Sequence, residues 1–355
     1  MNFRNWRSTF LRFLLTLTAL LTTTVTAHAE TMETLRVLAW PGYADPDVVA
    51  EFEQRHHVRA EITTIDSDLD LWTKINRNHG QDFDVFAVDT AELQRYLQHG
   101  LVMAIDKKTV PNIARQLPRF RDARSVPGIE REGKLYAVPY TYSEMGLIYD
   151  PQQIPSPPDS VAALWDKRYR GKVIAYNGGT HNFSLAAQSL GFSSPFRIED
   201  RQWASTVDRL IALRRNVTAF YTRPEESVAL FVKRKAALMY ANFGSQQLTL
   251  LKAAGIDAGY VIPREGALAW LDCWVITRSA RNPVLAAAWI DYMLEDKPGK
   301  VLLERQGLAN TTSESPYFNP KARIVWLEAA ESEERRNLLW GRIISGDRAQ
   351  KVLQP

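Results

Sequence analysis

The sequence predicts an α/β protein with two lobes, mixed sheets flanked by helices, and a hinge with two crossing strands. Three observations support this fold class. Short strands alternate with amphipathic helices, which is typical of strands connected through helices. The chain has 355 residues, more than a single hydrophobic core usually organises. A late apolar strand at 268–276 follows a second strand–helix series, so we expect it to return to the first lobe.

The first 29 residues have the pattern of a secretory signal peptide. Three arginines, Arg4, Arg7 and Arg12, precede a short apolar segment at 13–23, and Ala27-His28-Ala29 forms a small-residue cleavage site. We expect cleavage after Ala29 and export to the periplasm. Lobe 1 is then predicted over residues 30–141 and 268–310, and lobe 2 over residues 142–267 and 311–355.

Charge and cysteine content exclude several classes of function. The formal net charge is +4, and it falls to +1 when the three arginines of the signal are removed. A nearly neutral chain argues against a nucleic-acid partner, which requires a basic face. Cys273 is the only cysteine, so an intramolecular disulfide is excluded. We expect Cys273 to pack in the core.

Three strand–helix pairs are predicted in the first lobe. The strands lie at 35–40, 58–65 and 83–88, and the helices at 47–56, 69–78 and 91–99. Ligands of such sheets bind beyond the carboxyl ends of the strands. Trp40, Tyr43, Asp89 and Thr90 follow strands in this way, so we predict that they face a ligand.

The middle of the chain is predicted to cross between the lobes and to build a second α/β unit. Predicted strands at 135–140 and 146–149 form the first crossing. The second unit has strands at 172–176, 236–241 and 258–262 and helices at 181–190, 202–213 and 227–233. Helices are also expected at 286–294, 299–305 and 332–344. The Gly178-Gly179 pair is interpreted as a turn.

The stretch 263–276 carries the clearest binding signal. It begins with a Glu265-Gly266 corner and continues as a strand with a carboxylate inside an apolar run. Trp270 and Asp272 are two residues apart, so they share one face of that strand. An aromatic face beside a carboxylate suits an organic ammonium group. An Asp that caps a turn beside a core Trp is the alternative interpretation.

Sequence patterns of catalysis and cofactor binding are absent. The chain has no phosphate loop, zinc-protease motif, dinucleotide fingerprint or nucleophile elbow. Four histidines, His56, His57, His79 and His99, lie near predicted helix ends, where surface positions are expected. We therefore predict no catalytic residues, no metal site and no cofactor.

Several short motifs make the mature chain resemble the spermidine/putrescine-binding proteins of bacterial ABC importers. They are Leu35-x5-Pro-Gly-Tyr43, Asp82-Phe-Asp-Val85, Tyr136-Ala-Val-Pro-Tyr140, Trp165-x3-Tyr169-x-Gly-Lys172 and Trp270-Leu-Asp272. The resemblance implies a two-lobed periplasmic binding protein (type II), a monomer that closes over an extended amine. It also implies delivery of that amine to a membrane ABC permease.

The resemblance implies roles for ten residues. Asp272 would pair with an ammonium group, Trp270, Trp40 and Tyr43 would pack against the carbon chain, and Asp89 or Glu144 would serve a second donor. Thr90, Tyr142, Tyr240 and His181 match further ligand-facing positions. The resembling proteins carry acids after the strand at 172–176, whereas this chain has Gly178 and His181 there. Asp89 and Glu144 are the expected replacements, since a protonated His would repel an ammonium group.

Four alternatives remain open on the sequence. The ligand could be a different small amine or an amino-acid-like molecule with an acceptor near His181. The protein could also sense polyamines such as norspermidine and dock on a membrane cyclic-di-GMP enzyme that controls biofilm formation. An enzyme with an unrecognised site and a ferric-ion binder on the same fold are the remaining two.

Overall fold

A computed structural model describes residues 32–317 and 319–354, and the predicted signal peptide lies outside them. From Thr34 onward the chain forms one compact unit. Within the described ranges, none of the helices has the length and apolar character needed to cross a membrane.

Strands and helices alternate through most of the described chain. The strands are β1 (Thr34–Ala39), β2 (Arg59–Thr64), β3 (Val85–Asp89), β4 (Glu130–Arg131), β5 (Lys134–Leu135), β6 (Val138–Met145), β7 (Leu147–Tyr149), β8 (Val173–Tyr176), β9 (Val217–Tyr221), β10 (Leu238–Tyr240), β11 (Gly259–Val261), β12 (Ala267–Ile276), β13 (Ala309–Asn310) and β14 (Ile324–Trp326). The α-helices are α1 (Pro46–His56), α2 (Asp68–Arg77), α3 (Thr90–Gln98), α4 (Pro118–Arg121), α5 (Gly179–Ser189), α6 (Trp203–Asn216), α7 (Pro224–Arg234), α8 (Ser245–Ala253), α9 (Pro283–Met293), α10 (Asp296–Gln306), α11 (Glu333–Ile344) and α12 (Ala349–Val352).

The first sheet has the strand order β13-β6-β12-β3-β1-β2, and β14 also pairs with β12. Strands β1, β2 and β3 are parallel and are connected by α1 and α2, as their alternation with helices predicts. The late strand β12 enters antiparallel between β3 and β6. This return makes the sheet mixed and places Trp270 and Asp272 near its centre.

The second sheet has the order β11-β7-β10-β8-β9. Helices α5 and α6 pack against each other, and α11 packs on both of them. The division of the chain into lobes at residue 310 stays a prediction. In the segment after residue 310, β14 belongs to the first sheet, whereas α11 packs on helices beside the second sheet.

Gly146 marks the first passage of the chain between the two sheets. It is the single residue between β6 in the first sheet and β7 in the second. A Cβ atom at this position would lie 2.6 Å from the Tyr260 ring and 2.7 Å from the Val261 carbonyl oxygen. The absence of a side chain therefore allows β11 to approach the crossing. The chain crosses again between β11 and β12, and a third time between β14 and α11.

Helix α8 and strand β9 are the longest of the α-helices and strands that the sequence did not predict. Helix α8 begins after Gly244, which has no capping side chain, and it buries Ser245, Gln246 and Gln247 together with two leucines. A buried face with this many polar residues gives no clear amphipathic pattern. Strand β9 directly follows α6, and most of its residues are only partly buried. Its sequence pattern therefore does not separate it from the helix predicted before it.

Candidate functional site

Two carboxylates meet where β3 and β12 run side by side. Asp272 of β12 lies directly opposite Asp89 of β3 in the antiparallel register, so both side chains leave the same face of the first sheet. The Tyr43 hydroxyl donates a hydrogen bond of 2.5 Å to Oδ2 of Asp272. The structure thus brings together three of the residues that the sequence predicted.

Trp270 connects this region to the second sheet. Its Nε1 donates a hydrogen bond of 3.0 Å to the carbonyl oxygen of Asn242, which follows β10. The indole is 9% exposed and occupies the strand face that Asp272 also uses. Trp40 is partly buried at the end of β1, and its Nε1 is buried without a hydrogen-bond partner.

Among the described residues, no basic side chain acts on the pKa of Asp89 or Asp272. Burial, followed by the charge of the neighbouring Asp89, raises the pKa of Asp272 to about 8, although the hydrogen bond from Tyr43 opposes part of the shift. Burial also raises the pKa of Asp89 to about 6, although two backbone N–H groups at the start of α3 lower it. A cation bound between these groups would restore their charged forms.

A cavity of about 240 Å³ adjoins Asp89. The starts of four helices surround it. Its lining includes Asp68 from α2, Glu92 from α3, His181 from α5 and Glu333 from α11, and the ring of Tyr176 at the end of β8 forms part of the wall. Elements of both sheets therefore enclose one cleft.

The cleft carries more acidic than basic groups. Among the described residues that line it, Asp68, Asp89, Glu92, Glu328 and Glu333 are acidic, and Arg95 is the basic residue besides His181. The Arg95 guanidinium stacks 3.7 Å from the centre of the Trp72 ring. Helix N-termini attract anions, so the acids offset the helix dipoles and leave the cleft suited to a cation.

The pKa values in the cleft reflect this excess of acid. Burial, followed by the interaction with Glu333, raises the pKa of Glu92 to about 11. Burial, followed by Asp89 and Asp272, holds the pKa of Asp68 well above its usual range. Burial and the neighbouring acids therefore favour the protonated forms of these two carboxyl groups.

His181 lines the cleft as a neutral side chain. Burial, with a smaller effect from the Arg336 guanidinium, lowers its pKa to about 4. The repulsion expected from a protonated His181 therefore does not arise near neutral pH. The adjacent Gly178 leaves room for Tyr176, because a Cβ atom there would lie 2.3 Å from that ring. An acidic side chain at residue 178 would require the ring to move.

Four other predicted residues take different positions. Tyr142 and Glu144 leave the face of β6 opposite to that of Trp270 and Asp272, because their cross-strand partners are Leu271 and Ala269. The Tyr142 hydroxyl accepts hydrogen bonds from Arg119 and Ser315. Tyr240 is fully buried, with its hydroxyl 3.4 Å from Sδ of Met145. The Thr90 hydroxyl donates to the Leu327 carbonyl oxygen at 3.4 Å.

The cleft residues that the sequence reasoning missed include Asp68, Glu92, Tyr176 and Glu333. The three acids lie in the first turns of helices, where an acidic residue is expected for the dipole alone. Their pattern therefore gave no separate signal of binding. In the described parts of the chain, no cluster of three His, Cys, Asp or Glu side chains has an arrangement that could hold a metal ion.

Two α/β lobes around an enclosed cleft define a class of proteins that bind small solutes. Residues 47–319 match the family of bacterial extracellular solute-binding proteins. The match covers more than half of the chain, so this protein belongs to that family.

Curated relatives and solved structures agree with this assignment. The spermidine/putrescine-binding periplasmic protein of Escherichia coli is 23% identical over 282 residues, which cover 79% of this chain and 78% of that protein. The putrescine/cadaverine-binding protein of Pseudomonas aeruginosa is 21% identical over 343 residues, covering 89% and 95%. A spermidine/putrescine ABC transporter substrate-binding protein of Streptococcus pneumoniae superposes with a TM-score of 0.70 at 21% identity, covering 88% and 99%. The two-lobed periplasmic binding fold predicted from the sequence is confirmed.

Proposed function

We propose that this protein captures a polyamine or a similar cationic amine in its cleft and delivers it to the membrane permease of an ABC importer. The uncompensated carboxyl groups around Asp89 and Asp272 carry this proposal, because a buried acid without a counter-charge favours a cationic ligand. The relatives named for spermidine, putrescine and cadaverine support the same ligand class. The similar Streptococcus protein serves an ABC transporter, which favours delivery over sensing.

Each side chain has a simple role in this proposal. Asp272 and Asp89 pair with an ammonium group, and the Tyr43 hydroxyl orients Asp272. The aromatic faces of Trp270 and Tyr176 pack against the methylene groups from opposite sheets. The protein acts by binding and release without catalysis, and the signal peptide at 1–29 directs it to the periplasm.

A thermal-shift screen of residues 30–355 tests the proposal. The panel contains putrescine, cadaverine, spermidine, norspermidine, agmatine, cationic amino acids and Fe(III). A ligand at a hundredfold excess over its Kd stabilises the native state by about 2.7 kcal/mol. For a chain of this size we expect the Tm to rise by roughly 5 °C with at least one amine.

Asp272→Asn is the decisive variant because asparagine resembles the protonated carboxyl group that the empty protein holds near pH 7. The variant should fold normally and lose the Tm rise. Asp200→Asn is the matched control, since the Asp200 side chain is 99% exposed. The proposal fails if the folded wild-type protein responds to none of the amines, or if Asp272→Asn responds as strongly as the control.

A further inference from the structure

The loop after β10 lies between the two sheets. Residues 241–244, here called the bridge loop, connect β10 of the second sheet to α8. The carbonyl oxygen of Asn242 accepts the 3.0 Å hydrogen bond from Nε1 of Trp270 in the first sheet. The ring of Phe243 meets the ring of Tyr176 edge to face, with 5.8 Å between their centres. The bridge loop therefore contacts both aromatic side chains that are proposed to pack against the ligand.

The bridge loop also lies against the first crossing of the chain. Ser143 of β6 is the cross-strand partner of Trp270, and its hydroxyl donates a hydrogen bond of 3.3 Å to the Phe243 carbonyl oxygen. Gly244 has a φ of +47°, and a Cβ atom there would lie 2.2 Å from the Glu144 carbonyl oxygen. Only glycine allows so close an approach to the strand that leads from one lobe to the other.

A buried tyrosine holds the backbone of the bridge loop. Tyr221, the last residue of β9, is fully buried and pairs with Tyr176 in the parallel register of β8 and β9. Its hydroxyl donates a bond of 2.6 Å to the Tyr240 carbonyl oxygen and accepts a bond of 2.9 Å from the Asn242 N–H. One hydroxyl thus fixes the peptide groups on both sides of Ala241.

Two further buried side chains complete this support. Gln247, in the first turn of α8, accepts a hydrogen bond of 3.0 Å from the Phe243 N–H and donates one of 2.6 Å to the Ser227 hydroxyl. The Ser227 hydroxyl donates in turn to the Pro224 carbonyl oxygen at 2.6 Å. Both side chains are fully buried. A buried polar group is costly when it loses its partner, so this network favours a single position of the loop.

We propose that Tyr221 is a positioning residue for ligand capture, which acts through the bridge loop on Trp270 and Tyr176. This inference rests on the proposed function. Without the Tyr221 hydroxyl, two peptide groups of the loop lose a buried partner, and the acceptor of the Trp270 indole is no longer fixed. Affinity then falls although no side chain proposed to contact the ligand has changed, because a site that must be ordered on binding binds more weakly.

Tyr221→Phe tests this inference, since it removes the hydroxyl and keeps the ring. In calorimetric titrations we expect the affinities for putrescine and spermidine to fall by about fivefold or more. Tyr292→Phe is the matched control. Tyr292 is equally buried, and its hydroxyl donates one bond of 2.8 Å to the Val48 carbonyl oxygen, between α9 and α1. The control loses a buried hydrogen bond away from the bridge loop, and its affinities should stay within about twofold of the wild type.

The indole N–H resonance of Trp270 provides a readout that a loss of stability alone would not change. In the folded Tyr221→Phe protein without ligand, we expect this resonance to shift and the N–H to exchange with solvent faster, by about fivefold or more. Comparison with Trp270→Phe assigns the resonance. Tyr292→Phe should leave both the shift and the exchange rate as they are in the wild type.

Gln247→Met is a second variant of similar size, which removes the bond to the Phe243 N–H. It should change amine affinity and indole exchange in the same direction as Tyr221→Phe. The inference is overturned if both variants bind the two amines as the wild type does, if Tyr292→Phe loses as much affinity, or if the Trp270 resonance does not respond. The proposed function fails in a different way, because the wild type itself would then bind neither amine.

Discussion

Affinity for a diamine is expected to fall about 100-fold when the pH is lowered from 8 to 6. The ammonium ligand requires ionised carboxylates, and in the empty protein Asp272 has a pKa of about 8 and Asp89 a pKa of about 6. Over this interval the ionised fraction of Asp272 falls about 50-fold and that of Asp89 about twofold. Calorimetric titrations at half-unit pH steps measure the profile.

The raised pKa of Asp272 gives the stability of the empty protein the opposite pH dependence. Because the folded pKa of Asp272 is raised, its protonated form stabilises the fold fully below the unfolded value of about 4, and that stability is lost as the pH rises towards 8. The Tm of the empty protein should therefore decline over this range, whereas the ligand-induced rise should grow. In Asp272→Asn the Tm of the empty protein should decline less over the same range, because asparagine does not titrate. A wild-type profile that is flat between pH 6 and 8 would contradict ammonium binding at Asp272.

Replacing Asp84 with asparagine is expected to destabilise the protein by about 3 kcal/mol or more. The Asp84 carboxylate is buried between β1, β3 and the segment before α9. It accepts bonds from the Arg36 side chain at 2.7 and 3.0 Å, from the Arg36 backbone N–H at 2.9 Å and from the Arg281 backbone N–H at 2.8 Å. The variant leaves the Arg36 charge buried and unbalanced.

Urea unfolding followed by circular dichroism measures this loss. Burial alone would raise the pKa of Asp84, but the bonds from Arg36 and Arg281 outweigh it and lower the pKa. The stabilisation is therefore present above the unfolded value of about 4 and disappears as the pH falls through the folded value. Asp159→Asn, at an exposed ion pair with Arg264, should change stability by less than 1 kcal/mol. Equal stability of the two variants would show that the buried pair contributes little.

Local spacing was sufficient to predict one part of the candidate site. The interval between Trp270 and Asp272 assigned both to one face of β12, and the end of β3 placed Asp89 beyond a strand. The contact between Tyr43 and Asp272 joins residues 229 positions apart, which only the antiparallel return of β12 creates. The alternation of a strand predicts that Tyr142 and Glu144 share one face of β6. It does not predict which face that is, because this depends on how β6 pairs with β12.

The acidic lining of the cleft could not be predicted from the sequence for a different reason. Asp68, Glu92 and Glu333 each satisfy a local rule, since acids favour the first turn of a helix. A residue that is explained locally gives no reason to search for a distant partner. The three line one cleft only because α2, α3 and α11 converge, and this convergence depends on the third crossing of the chain at 327–332.

The single thiol of this chain gives the protein an internal reporter of strand opening. Cys273 is fully buried, adjacent to Asp272 and on the opposite face of β12. A thiol reagent reaches it only through local or global opening, so the labelling rate measures the free energy of that opening. Because β12 also carries Asp272, the carboxylate proposed to bind the amine, a bound ligand on one face of the strand should slow the labelling of Cys273 on the other.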